Sequence, residues 1–206
     1  MFYDPRKGVR PAPLTHNPLN ALVAPRPIGW ITTVSGKGEC NLAPFSYFNA
    51  FSADPPIVGF APNAKPGDGG AKDSLANVRV VPEFTVSVVS ADLASQMNTT
   101  SKSVPHGVNE YEIADLEAGK SKLVRPPYVA IARAVLECRV FNIVSLPKGN
   151  THRGGHLVLG EVIGIHIDDD LITDGKVDGK ALHQVARLGY FDYTTVDTLF
   201  EILRPE

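Results

Sequence analysis

Glycine and proline are spread along the whole chain, and this even distribution restricts the fold more than any single motif does. The 206 residues include 18 glycines and 17 prolines. Both residue types interrupt helices and are common in the turns between short strands. The distribution argues against an all-helical bundle. We expect one domain, residues 1–206, that is mainly β with a few short helices.

Five segments have the Val, Ile, Phe and Thr content that is typical of strands. They are Ile28–Val34, Ile57–Ala61, Phe84–Ser90, Tyr128–Leu146 and His156–Asp168. The last two alternate in polarity like strands with one buried side, and Glu137 falls on the polar side. They predict a long antiparallel hairpin, in which Gly160 and Gly164 indicate bending or a close approach of another backbone. Bent strands favour a closed or half-closed barrel, because barrels remove exposed edges.

Helical signals are few and short. They cover Ser74–Val78 after Asp73, Ala91–Met97, and Lys180–Arg187. Each has a capping or stop residue close to its ends, which is typical of short helices between strands.

The charge balance and the apolar runs restrict the classes of partner. The formal net charge is −2 at pH 7, without the basic excess of a nucleic-acid-binding surface, so no nucleic-acid partner is expected. No apolar run approaches the roughly 18 residues that cross a bilayer, so we expect no membrane span. Residues 1–7 carry charge and proline where a signal peptide needs an apolar segment, which makes the cytoplasm the expected location. Cys40 and Cys138 are expected to be buried thiols.

Several common catalytic and metal-binding signatures are absent from the sequence. It contains no G-x-S-x-G or H-E-x-x-H motif and no Rossmann or Walker fingerprint. The acidic segment Asp168–Gly175 lacks a ligand at the third position of a calcium loop. Gly154 and Gly155 separate His152 from His156, so a helix presenting both histidines is not expected. We therefore expect no metal site.

A glycine-rich loop leads into the first predicted helix at Gly67–Ser74. Backbone N–H groups at a helix start, the Lys72 ammonium and the Ser74 hydroxyl converge there, which is the requirement for holding a phosphate. The alternative interpretation is a surface loop followed by an ordinary helix cap.

Aromatic and hydrogen-bonding side chains are concentrated in Asn41–Ser52, which is followed by Asp54-Pro55-Pro56. Because prolines restrict sheet pairing, backbone groups in this stretch are candidates for binding a planar polar ligand. A barrel strand with core aromatic residues is the alternative, and composition alone does not choose between the two.

Six segments form an ordered set of motifs that extends over almost the whole chain. They are Arg26–Thr33, Asn41–Pro56, Lys72–Asn77, Pro105–Tyr111, Gly155–Val162 and Ala186–Tyr193. Together they resemble the flavin reductase-like family of FMN-binding split barrels. The resemblance implies a homodimeric split β-barrel that binds FMN near the subunit interface and passes hydride from NADH or NADPH to the flavin. Such chemistry needs little acid–base machinery from the protein, which is consistent with the absence of a catalytic triad.

The resemblance also implies roles for individual residues. Those that would border the flavin or contact its ring and ribityl chain are Trp30, Thr32, Thr33, Ser46, Tyr47, Phe48, Asn49 and Ser52. Those that would bind the phosphate are Lys72, Asp73 and Ser74, with a Ser where family members often have Thr. Arg187 would add a second positive charge.

His156 is the catalytic candidate that the resemblance implies. Related short-chain reductases place a histidine beside the nicotinamide, and the spacing to the following strand agrees. Gly155, however, stands where many of them have Asp. The alternative is a histidine at a strand start whose ring is satisfied by a backbone carbonyl.

The preferred hypothesis is an NAD(P)H-dependent FMN reductase that supplies reduced flavin to a separate oxygenase. An FMN-containing electron carrier that acts with a protein redox partner is the alternative. A barrel that binds another planar ligand is a third possibility. The choice between NADH and NADPH, and between FMN as substrate and as prosthetic group, stays open.

Overall fold

The part of the chain that the structure describes contains fourteen strands and five short α-helices. This computed structural model describes residues 1–62, 72–105, 107–149 and 154–205. The strands are β1 (Arg26–Pro27), β2 (Gly29–Val34), β3 (Cys40–Phe45), β4 (Phe48–Ala53), β5 (Pro56–Phe60), β6 (Glu83–Val88), β7 (Ala118–Gly119), β8 (Tyr128–Val129), β9 (Ala134–Ser145), β10 (His156–Ile167), β11 (Ile172–Thr173), β12 (Lys176–Val177), β13 (Val185–Arg187) and β14 (Tyr193–Thr195). The α-helices are α1 (Leu19–Leu22), α2 (Asp73–Val80), α3 (Ala94–Thr99), α4 (Glu110–Ile113) and α5 (Gly179–Leu182). The expectation of a mainly β protein with a few short helices is confirmed.

Seven strands form one antiparallel sheet in the order β3-β2-β6-β9-β10-β5-β4. Its longest strands, β9 and β10, pair from Ala134 opposite Ile167 to Ser145 opposite His156, which confirms the predicted hairpin. Only residues 46–47 separate the two edge strands, β3 and β4, along the chain. The two edges therefore come close together, and the sheet curls into a barrel that is open between them. A second sheet has the order β1-β13-β14, and β7-β8 and β11-β12 form short ribbons.

One face of the curled sheet encloses an apolar cluster that draws on six of its strands and on α2. The buried members are Ile31, Phe45, Val58, Phe60, Leu75, Val78, Phe84, Val86, Cys138 and Val158. The Phe60 ring lies 5.1 Å from the Phe45 ring and 5.2 Å from the Phe84 ring, in the tilted arrangements that aromatic pairs prefer. This cluster is the interior of the barrel.

The opposite face of the sheet is also buried, which corrects the prediction of one buried side. A second apolar cluster covers it, formed by Ile28, Trp30, Leu42, Val89, Leu93, Met97, Tyr111, Val129, Ala132, Val135 and Val185. The Glu137 side chain is fully buried rather than solvated, because the backbone of residues 122–124 lies over it and donates hydrogen bonds. Cys138 is buried as expected, whereas Cys40 is half-buried.

Two predicted elements differ from the observed ones. The strand predicted over Tyr128–Leu146 is interrupted, because the Ala132 N–H donates to the Val129 carbonyl and turns the chain between β8 and β9. The helix predicted over Lys180–Arg187 is wrong beyond its first turn. His183 adopts a left-handed φ of 50°, and β13 follows. The Val185 N–H donates to the Val89 carbonyl at 2.8 Å and the Val185 side chain is buried, so strand pairing outweighs helix propensity there.

The prolines of the aromatic segment do not prevent sheet pairing. Pro44 lies in β3 opposite Trp30. Because β3 is an edge strand, the N–H that proline lacks is not needed on its outer side. Phe45 belongs to the barrel interior, so the interpretation as a barrel strand with core aromatics is correct for this part. The outer edge of β3 still offers backbone groups to other partners, and the Leu42 N–H donates to Glu110 there.

Gly160 lies where β10 passes over the buried Phe84 ring. A Cβ atom at Gly160 would be 2.4 Å from Phe84 Cε1, closer than real Cβ contacts. The register of the β9–β10 pair shifts beside Gly160 and Gly164, as the prediction of bending requires. The close neighbour of Gly160 is thus mainly an aromatic side chain rather than another backbone.

Replacing Gly160 with alanine is expected to lower the free energy of unfolding by about 1–3 kcal/mol, because the added methyl group overpacks the barrel interior. Urea denaturation followed by tryptophan fluorescence measures this. Gly179→Ala is the matched control, since a Cβ at Gly179 meets no atom within 4 Å. A loss at Gly160 no larger than that of the control would contradict the packing argument.

Candidate functional site

A cavity of about 350 Å³ lies beside the outer edge of β3. Its walls are the middle of β3, the start of α2, the segment that follows α3, and the first residue of α4. The lining residues are Asn41, Ala43, Pro44, Lys72, Asp73, Ser74, Thr100, Ser101, Lys102, Ser103, Val104 and Glu110. The volume is within the roughly 300–1,000 Å³ that is typical of small-molecule sites.

The phosphate-binding candidates Lys72, Asp73 and Ser74 all line this cavity. Lys72 directly precedes α2, whose first N–H groups have no acceptor within the helix. The Ser74 hydroxyl accepts a hydrogen bond from Asn41 Nδ2 at 3.0 Å and keeps its own proton for a further acceptor. Lys72 Nζ lies 5.3 Å from the centre of the Phe45 ring. A cation, a helix start and a hydroxyl therefore converge on one wall, while Gly67, Gly69 and Gly70 of the predicted loop lie outside the described residues.

A further wall of the cavity was not predicted from the sequence. It consists of Thr100–Val104, which follows α3 and brings a second lysine, Lys102, to the cavity. The only local signal is a run of four hydroxyl residues around this lysine, Thr99–Ser103. Such a run is also typical of an exposed helix end, so its proximity to Lys72 follows from the tertiary structure alone.

Glu110 also lines the cavity, and the sequence did not predict a role for it there. It is buried, and its Oε2 accepts the Leu42 N–H at 2.9 Å. Burial raises the pKa of the Glu110 carboxyl, the Leu42 hydrogen bond opposes this, and the Asp73 charge adds to the increase. The carboxyl group thereby ties α4 to the edge of β3 at the cavity wall.

Trp30, Thr32 and Thr33 are fully buried behind the cavity. Trp30 Nε1 donates to the Thr100 hydroxyl at 2.9 Å, and Thr100 lines the cavity. The Thr32 hydroxyl is 2.7 Å from the Tyr111 hydroxyl. Thr33 accepts a hydrogen bond from Asn77 Nδ2 at 3.1 Å. Their hydrogen bonds connect β2 to Thr100, to α4 and to α2, the segments that line the cavity.

The candidates between β3 and β5 lie along the open side of the barrel. Tyr47 is exposed and donates to Asn20 Oδ1 at 2.8 Å. Phe48 is partly buried against the barrel interior. Asn49 and Ser52 are exposed on β4, while Ser46 links β3 to the Tyr47 turn. The chain therefore leads these side chains away from the cavity along a solvent-facing strand.

His156 and Arg187 lie apart from the phosphate candidates. His156 Nε2 lies 3.0 Å from Arg79 Nη2. Arg79 is in the last turn of α2, about 10 Å from Lys72 along the helix axis. Burial and then the Arg79 charge lower the pKa of His156, and its neutral ring accepts a hydrogen bond from the Arg79 guanidinium. Arg187 donates to the Tyr193 hydroxyl and the Tyr190 carbonyl. The second cation that lines the cavity is Lys102.

Two features are absent from the described residues. Within the ranges given above, no three His, Cys, Asp or Glu side chains are grouped as ligands of a metal ion. Among the helices of the described chain, none has the length and apolar character needed to span a membrane.

The sequence matches a known family over most of its length. A model of the flavin reductase like domain matches residues 22–192. A protein of Deinococcus radiodurans is 40% identical over 195 residues, which cover 90% of this chain and 82% of the relative.

Solved structures with the same architecture agree with this match. Nitrilotriacetate monooxygenase component B from Bacillus cereus is 27% identical with a TM-score of 0.84, over 94% of this chain and 100% of the other. A candidate flavin reductase with a split barrel domain from Shewanella frigidimarina has a TM-score of 0.79 at 23% identity, over 91% of this chain and 90% of the other. The fold is thus the split barrel, open between β3 and β4. With the family model matched over most of its residues, the chain belongs to the flavin reductase-like family.

Proposed function

We propose that the protein binds FMN in the cavity beside β3 and is an NAD(P)H-dependent flavin reductase. The observation that carries the proposal is the convergence of Lys72, the start of α2 and the Ser74 hydroxyl on one wall of the cavity. A phosphate group is bound by such a set, because it needs a cation, backbone N–H donors and a hydroxyl donor. Family membership supports a flavin as the ring attached to that phosphate.

The residues present fit FMN better than they fit an uncharged flavin. Lys72, the first N–H groups of α2 and the Ser74 hydroxyl form a wall suited to a phosphate, which riboflavin lacks, and Lys102 offsets part of the charge of Asp73 and Glu110 in the same cavity. When bound, FMN would supply the hydride acceptor that the side chains lack. The protein's part is to hold the phosphate through Lys72 and Ser74, to place the ring along the open side of the barrel, and to admit the nicotinamide.

The flavin ring would lie beyond the cavity, next to the residues that follow β3. Ser46, Tyr47, Phe48, Asn49 and Ser52 follow the cavity-lining part of β3 along the chain, so a ligand that extends from the cavity past the end of β3 meets them. The positions of Asn49 and Ser52 on an exposed strand leave them accessible to such a ligand.

We place the nicotinamide near His156. Its separation from Lys72 along α2 argues against a role in holding the phosphate, and its neutral ring is suited to a hydrogen bond with a nicotinamide amide. His156→Ala is expected to raise the NADH or NADPH concentration for half-maximal flavin reduction about tenfold. FMN affinity is expected to stay the same.

Anaerobic stopped-flow measurement of flavin reduction by each nicotinamide tests both the function and the histidine. Reduction by NADH or NADPH within the time of a normal turnover supports the reductase. Tightly bound FMN that neither nicotinamide reduces efficiently would instead indicate the electron carrier. The role of His156 would be refuted if His156→Ala lost FMN affinity, or if it needed the same nicotinamide concentration as the wild type for half-maximal flavin reduction.

We further propose that the protein is a homodimer and that an oxygenase receives its reduced flavin. Strand β4 is an edge of the sheet, its side chains from Asn49 to Ala53 are exposed, and Phe51 keeps 55% of its surface accessible. An unpaired edge with an exposed aromatic residue is suited to association with a second copy. The similarity to a component of a monooxygenase supports an oxygenase as the acceptor.

A further inference from the structure

The cavity wall contains a buried carboxyl group, that of Glu110, which has few hydrogen-bond donors from the described residues. Glu110 is 6% exposed and lines the same cavity as Lys72 and Ser74. In the described part of the chain, the groups that act on it are the Leu42 N–H, its own backbone N–H and the Asp73 carboxylate. None of these is a cation. Burial penalises the charged form of this carboxyl group, and a donor that reaches it from the cavity would relieve that cost.

The short helix α4, which carries the Glu110 carboxyl group, is fixed at its start and against the barrel. Asn109 caps α4 by accepting the Tyr111 N–H, and Asn109 Nδ2 donates to Glu112 at 3.0 Å. The Tyr111 hydroxyl is 2.7 Å from that of Thr32 on β2, which fixes α4 against the barrel. Glu110 therefore presents its carboxyl group at a defined position on the wall, as a recognition residue must.

The chemistry of the walls determines which part of a flavin fits beside Glu110. A phosphate is suited to the wall formed by Lys72, the first N–H groups of α2 and the Ser74 hydroxyl, whereas the Glu110 carboxyl group would repel it. The part of FMN that adjoins the phosphate is the ribityl chain, whose hydroxyl groups are hydrogen-bond donors. A carboxyl group in the same cavity as the phosphate anchor is therefore placed to accept from a polyol.

We propose that Glu110 recognises the ribityl hydroxyl groups of the flavin and so selects flavins that carry a polyol chain. The inference rests on the proposed function, since it assumes that FMN occupies the cavity. It assigns Glu110 two contacts: Oε2 positions the Leu42 N–H of β3, and the remaining acceptor capacity faces the ligand.

Titration of the protein with three flavins tests this proposal. FMN, riboflavin and lumiflavin share the ring, but lumiflavin has a methyl group in place of the ribityl chain. Glu110→Gln is expected to weaken FMN and riboflavin by the same factor, about tenfold, because a charge-assisted hydrogen bond is lost. Lumiflavin affinity is expected to be unchanged. Glu112→Gln is the matched control, since Glu112 is on the same helix and exposed.

The outcomes separate the proposal from a structural role and from failure of the proposed function. If Glu110→Gln weakens all three flavins equally, the residue only positions β3, and the proposal is overturned. If it weakens none, the proposal is overturned as well. Wild-type protein that binds none of the three would refute the proposed function itself. Should Glu110→Gln fail to fold, Glu110→Asp, which keeps the charge with a shorter reach, is expected to give the same order of losses.

Discussion

Replacing Lys72 with alanine is expected to weaken FMN binding about a hundredfold while leaving riboflavin binding nearly unchanged. The reason is that Lys72 brings its ammonium group to the cavity at the start of α2, where the helix dipole already favours an anion. Riboflavin has the same ring and ribityl chain but no phosphate. The ratio of the two affinities therefore isolates the contact between the lysine and the phosphate.

Fluorescence titration at constant ionic strength measures both affinities. Lys37→Ala is the matched control, because Lys37 is exposed in the turn between β2 and β3. It removes the same charge from the protein as a whole, so a general electrostatic effect would appear in both variants. Equal losses for FMN and riboflavin in Lys72→Ala would show that the lysine does not hold the phosphate.

Replacing Glu137 with glutamine is expected to lower the free energy of unfolding by about 3–5 kcal/mol, the usual cost of breaking a buried charged network. Glu137 is fully buried on β9. Its oxygens accept the N–H groups of residues 122, 123 and 124 at 2.8, 2.6 and 3.2 Å, and Oε1 lies 2.5 Å from His166 Nε2. A glutamine would turn an NH₂ group toward N–H donors and leave them unsatisfied.

The same network makes stability depend on pH. Burial alone would raise the pKa of Glu137, but the hydrogen bonds from Lys122, His166 and Leu123 outweigh it, and its pKa lies below the ordinary value. A lowered pKa in the folded state stabilises the protein above the pKa of the unfolded chain. This contribution is lost as the pH falls through the lower, folded-state pKa.

Urea denaturation at neutral pH and at several acidic pH values measures both effects. The stability difference between wild type and Glu137→Gln is expected to be full at neutral pH and to shrink below about pH 4. Glu161→Gln is the control, because Glu161 is exposed on the neighbouring strand β10. A loss for Glu137→Gln as small as that of the control would refute the role of the network.

Elements with a strong local pattern were predictable from the sequence. The alternation in β9 and β10 predicts their pairing because the period of two is set by the strand itself. Near Val185 the prediction failed, because a strand partner distant in sequence decides the structure there. Glu137 was placed on a solvated side for a similar reason, since only the folded chain brings residues 122–124 over it.

The candidate site shows the same division. Lys72 and Ser74 could be found from local signals, because a lysine and a hydroxyl at a helix start are adjacent in sequence. Lys102 and Glu110 could not be assigned, because they lie on separate segments that only the folded chain brings to the edge of β3. The remaining flavin candidates were implied by the family resemblance, and their contacts with a ligand stay predictions.

The most direct test of the central claim is a crystal structure of the protein with FMN. We predict that the phosphate lies in the cavity beside β3, within hydrogen-bond distance of Lys72 Nζ and the Ser74 hydroxyl. FMN bound elsewhere, with Lys72 turned away from it, would contradict the account.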